Sequence, residues 1–148
     1  MGWWWALVVI GPAVATAVIL VVVFGRVRRS IASASFDEVE LDSGLVTMTS
    51  RFVGFRSARL IRSGFRRAPA RAVLTASHLH LVERPQRYGV FERRDLVRFT
   101  VGESVGGLQL RSEDPSGATG AVEYVVPVAD PTRWIEALVH AGARRAVG

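Results

Sequence analysis

Cysteine, lysine and asparagine are all missing from the 148 residues. Without cysteine the chain has no disulfide scaffold, no thiolate zinc site and no thiol nucleophile. Without lysine, every fixed side-chain cation is one of 19 arginines. Also missing are a Gly-x-Ser-x-Gly elbow, a phosphate-binding P-loop, a dinucleotide fingerprint and any paired-carboxylate arrangement. The expectation is therefore a protein that is not an enzyme and carries no cofactor. No recognition helix, zinc motif or RNA platform accompanies the arginines, which argues against a nucleic-acid partner.

Charge of either sign is absent from Trp3 to Phe24, 22 residues filled with Val, Ile, Leu and Ala. As a helix this run rises about 33 Å, enough for a hydrocarbon core of about 30 Å. Gly11-Pro12 is tolerable there as a kink. Trp3, Trp4 and Trp5 lie at one end, where indoles favour the headgroup layer, and Arg26, Arg28 and Arg29 at the other. These six residues are the expected interface anchors of a transmembrane helix over residues 1–25. Arginine excess stays on the cytoplasmic side, so the expected topology is single-pass in the cell (inner) membrane, amino terminus outside and the rest inside. Ala32-Ser33-Ala34 resembles a signal-peptide cleavage site, but it follows three arginines, and no basic residue precedes the apolar run. Gly11 and Ala15 form a small-xxx-small pair that suits a homo-oligomer packed through this helix.

Beyond the anchor, charge is segregated. Residues 30–50 hold Asp37, Glu38, Glu40 and Asp42 and no arginine, whereas residues 51–98 hold 12 arginines against three acids. Residues 26–44 read as a juxtamembrane linker ending in the turn Asp42-Ser43-Gly44. From Leu45 onward apolar and polar residues alternate, and six or seven short strands are expected over 45–142. Residues 55–67 fit either a strand or an interfacial helix; Gly54 and Gly64 favour the strand. Leu96–Val101 reads as a strand, Gly106-Gly107 and Asp114–Gly117 as turns, and Val122–Val128 as the last strand. Asp130 as N-cap, Pro131 at the first helical position and the stripe Trp134, Ile135, Leu138, Val139 predict an amphipathic helix closed by Gly142. Residues 143–148 are a tail. The fold class is thus a curved antiparallel sheet or partly open barrel, one mouth of which the C-terminal helix plugs.

The helix Asp130-Pro131-Thr132-Arg133-Trp134-Ile135-Glu136-Ala137-Leu138 after a series of strands resembles the pleckstrin-homology superfold. So do the segments Ala72–Thr75, Leu79–Val82 and Glu92–Val97. In layout the chain is similar to small bacterial membrane-anchored proteins with a PH-like (PH or GRAM type) cytoplasmic domain. The resemblance implies a fold over roughly 45–142 and a binding role toward lipids, peptides or proteins. No inositol-binding motif matches residue by residue.

The chemistry left to weigh is the basic stretch from Arg51 through Arg56, Arg59, Arg62, Arg66, Arg67 and Arg71, interleaved with Phe52, Phe55, Ile61 and Phe65, the last six arginines being the candidate lipid- or partner-binding residues. Held near an anionic leaflet, each such residue gains about 1 kcal/mol, decaying over a Debye length of about 8 Å. The competing readings are a protein-partner surface and a plain solvated strand face. His78 and His80 share a strand face but lack third and fourth ligands, so no metal site is expected. The reading is a non-catalytic membrane-anchored adaptor; the alternative is an accessory or assembly subunit of a larger membrane complex.

Overall fold

The computed structural model describes residues 3–57, 60–84, 87–113 and 120–147, leaving out the side chains of residues 3–11, 53–57, 60–63, 84, 87–88 and 113. In chain order the elements are α1 (Trp3–Ala32), β1 (Val39–Asp42), β2 (Val46–Ser57), β3 (Leu60–Thr75), β4 (His78–Arg84) and β5 (Arg87–Glu92). A 3₁₀ helix (Arg93–Arg98), β6 (Phe99–Ser104), β7 (Gly107–Glu113), β8 (Ala121–Val126), α2 (Pro131–His140) and β9 (Arg144–Arg145) follow.

α1 passes Pro12 without ending, and the Thr16 hydroxyl donates to the Pro12 carbonyl at 2.7 Å. That bond satisfies the hydroxyl inside the helix, so the neighbouring surface stays apolar. One expectation is corrected here. The helix runs on to Ala32 instead of stopping at residue 25. Among the described residues no helix is long and apolar enough to cross a membrane.

The strands form one curled sheet in the order β5-β4-β3-β2-β8-β7-β6-β9, with β1 added on β3. Among the described residues every pairing is antiparallel except β6 with β9. The sheet is therefore mixed, not purely antiparallel. The curl comes from two long strands that each serve both halves. β3 pairs with β2 as far as Ala70 and with β4 from Arg71, while β2 also pairs with β8 over Thr49–Val53. Pro69 lacks an N–H and falls outside the β4-paired stretch, where a missing donor is tolerated. The 3₁₀ helix then brings β5 back towards β6, and the Phe91 and Phe99 rings meet edge-on at 4.8 Å.

Alternation along the strands fills the concave side. Met48, Ala70, Ala72, Leu74, Leu79, Leu81, Phe99, Val101, Leu108 and Leu110 are buried in one cluster with Trp134 and Leu138 of α2. The α2 N-cap is as expected: Asp130 Oδ1 accepts from the Arg133 N–H at 3.0 Å, and Pro131 opens the helix. Gly142, at φ +113, ends it in a conformation that favours glycine. Each large apolar side chain buried here contributes roughly 1.5–3 kcal/mol.

Three local expectations fail. Residues 26–44 are not simply a linker, since they hold the last turns of α1 and all of β1. Leu96–Arg98 belong to the 3₁₀ helix, which is why Leu96 is buried while Val97 is exposed. The tail contains β9, whose two residues add to β6 in parallel, opposite Thr100 and Val101. Residues 55–57 and 60–67 form strand, the pairing of Phe55 with Arg62 and Ser57 with Leu60 holding the hairpin together. The turn expected at Asp114–Gly117 lies outside the described residues.

Candidate functional site

The junction of α1 with the sheet is built around Arg71. Antiparallel register puts Arg71, Val73, His80 and Val82 on one face of β3–β4, and Ala72, Leu74, Leu79 and Leu81 on the other. The second set belongs to the core under α2. On the first face Val73 and Val82 are fully buried, as is Ile31 in the last turn of α1, which contacts both strands. Arg71 seals this packing. Its Nε and Nη2 reach the Asp42 carboxylate at 3.0 and 2.6 Å, and its Nη1 donates to the carbonyls of Ala32 and Ala34 at 3.0 and 2.8 Å. The Phe36 ring lies 5.5 Å from the guanidinium carbon. One side chain thus ties the end of α1, the segment after it, β1 and β3. The Arg71 hydrogen bonds hold the Asp42 carboxyl below its ordinary range, and Asp42 in turn raises Arg71.

A second staple lies alongside. Arg93 donates to the Thr75 carbonyl through Nε and Nη2, and its Nη2 pairs with Glu40 at 2.5 Å. The acidic stretch before β2 is therefore a partner for arginines distant in sequence. Acids in one block followed by arginines in the next were the available signal.

The arginines expected to form one patch have different placements. Arg71 is engaged in the junction. Arg66 pairs through Nη1 with Glu83 Oε2 at 3.2 Å. Arg67 is exposed. Arg56 and Arg62 lie in the paired distal part of the β2–β3 hairpin, their side chains outside the described residues, as is Arg59 altogether. Register places Thr49 opposite Arg67 and Arg51 opposite Phe65, so these four share one hairpin face. On it Phe65 is 68 % exposed, an aromatic ring held in solvent between arginines. At the anchor, Arg26, Arg28 and Arg29 are exposed, whereas the Trp3, Trp4 and Trp5 side chains lie outside the described residues.

Both strand histidines are half-buried. His78 Nδ1 is 2.7 Å from Ser77 Oγ, and the His80 ring packs 4.7 Å from that of Phe36. Burial, then the neighbouring His78, lowers the His80 pKa from 6.5. Among the described residues no group of three His, Asp or Glu side chains is placed to hold a metal ion.

Against this geometry, no protein-family model, no curated protein and no solved structure matches the chain.

Proposed function

We propose that this is a non-catalytic, single-pass membrane-anchored adaptor with a PH-like domain on the cytoplasmic side. In this reading the basic face of the β2–β3 hairpin contacts anionic lipid headgroups or a protein partner. The observation that carries it is the surface of α1. Val14, Val18, Ile19, Leu20, Val21, Val22, Val23 and Phe24 are all at least 49 % exposed. At 100° per residue the unbroken run Val18–Phe24 covers every side of the helix. A helix apolar all round belongs in lipid or in a protein core. The anchor is the whole uncharged run Trp3–Phe24, of which the described side chains form the later part. The exposed Arg26, Arg28 and Arg29 then meet the inner headgroups. The pleckstrin-homology reading draws support from the curled sheet and the helix that plugs it.

The test uses the chain's lack of cysteine. The full chain carrying Ser57→Cys near the hairpin tip, labelled with an environment-sensitive dye, is placed in nanodiscs. Expected are resistance to alkaline extraction, a cytoplasmic carboxyl terminus in cells, and a dye shift with phosphatidylglycerol that high salt reverses. Changing Arg56, Arg59, Arg62 and Arg66 to Gln should abolish the shift. A chain that leaves the membrane on alkaline washing refutes the anchor. An anchored chain with no anionic-lipid response refutes the lipid role; co-purification of a stable complex through α1 would then favour the accessory-subunit reading.

A further inference from the structure

Where α1 passes β3 and β4 there is a cleft of about 330 Å³. Its α1 wall is apolar, formed by Val23, Phe24 and Val27, and the sheet side contributes Arg66, Arg67 and Glu83. The volume falls in the range of small-ligand sites, about 300–1,000 Å³. Charges do not cancel: two guanidiniums face one carboxylate. Glu83 engages Arg66 through Nη1, and among the described residues Arg66 Nη2 is buried with no hydrogen-bond partner. A buried donor without an acceptor is costly and uncommon in native proteins, so it marks a place suited to an acceptor oxygen. The apolar wall is continuous with the exposed apolar surface of α1, and only Gly25 separates Phe24 from the first arginine, Arg26.

An occupant must therefore combine an anionic oxygen-rich head with a long apolar tail. We infer that the cleft holds one anionic phospholipid of the cytoplasmic leaflet. Its phosphate accepts from Arg66 and Arg67, and its acyl chains run along Val23, Phe24 and Val27 towards the bilayer interior. This rests on the membrane-anchored reading and adds to it a stoichiometric site that shares Arg66 and Arg67 with the hairpin.

The experiment is native mass spectrometry of the full chain released from detergent micelles doped with phosphatidylglycerol or phosphatidylcholine. Expected is one retained phosphatidylglycerol per chain, at least tenfold preferred over phosphatidylcholine. The double change Arg66→Gln, Arg67→Gln should lower retention at least tenfold. Val27→Trp, which fills the cleft and leaves its charges intact, should do the same, whereas the exposed Arg98→Gln should not. Arg67→Gln alone, at an exposed position, guards against a double variant that fails to fold and should weaken retention severalfold. Equal retention of both lipids, or retention unaffected by Val27→Trp, overturns the site. If that happens in a chain that resists alkaline extraction, only the cleft proposal fails; a chain extracted by alkali removes the anchored reading and this one together.

Discussion

Replacing Arg71 with alanine tests whether α1 and the sheet are joined by one side chain. The change removes a forked contact to Asp42, two hydrogen bonds to the carbonyls of Ala32 and Ala34, and the stacking on Phe36. Hydrogen bonds to charged groups contribute roughly 1.5–3 kcal/mol, and stripping one partner from a buried ion pair costs about 3–5 kcal/mol. Here the Arg71 side chain is 15 % exposed and Asp42 32 % exposed, so solvent screens part of the effect. The expected loss is about 3 kcal/mol. At roughly 4 °C per kcal/mol for a domain of this size, that is about 12 °C in Tm. Far-UV circular dichroism of the full chain in detergent, with urea and heat, measures both. Arg71→Lys keeps the charge but not the fork and should recover only about half. A double-mutant cycle with Asp42→Ala should give a coupling of about 2 kcal/mol. A loss below about 1 kcal/mol for Arg71→Ala, or one no larger than for the exposed Arg67→Ala, would refute the junction as drawn.

Two further outcomes follow from the same packing. The fold favours neutral His80, so stability is complete above about pH 6.5 and declines as acid protonates the unfolded chain first. Asp42 acts lower: its contribution is full above about pH 3.8 and disappears as pH falls through its depressed folded value. Urea midpoints measured from pH 7.5 to 5 should thus fall in the native chain and fall less in His80→Leu; parallel curves would exclude His80 as the cause. Leu138, fully buried where α2 caps the sheet, should cost about 3 kcal/mol as alanine, and a chain losing under 1 kcal/mol would contradict its place in the core.

What the sequence disclosed and what it concealed have separate physical causes. α2 was legible because Asp130, Pro131 and the stripe at Trp134, Ile135 and Leu138 are local signals that agree with one another. The β2–β3 hairpin was legible because Gly54 and Gly64 oppose a helix. β1 was not, since Val39–Asp42 has scarcely any buried face and its register is held by Arg71 and Arg93 from elsewhere. β9 was invisible because two arginines pair through their backbones alone. The alternation at Leu96–Val101 misled because one turn of 3₁₀ helix also puts Leu96 in and Val97 out. Of the candidate site, spacing revealed the basic hairpin, but which arginines were already engaged depended on partners far apart in the chain. Arg71 and Asp42 are 29 positions apart.

The unbroken passage of α1 into the buried contact at Ile31 makes the helix a shaft and not a tether. Whatever grips its apolar end also sets the compass bearing of the β domain, because each residue of helix turns the chain by about 100°. Two residues added between Arg29 and Ser30 would swing the hairpin face to nearly the opposite side while lifting the domain only about 3 Å. Helical phase, more than reach, decides which surface this protein shows to its neighbours.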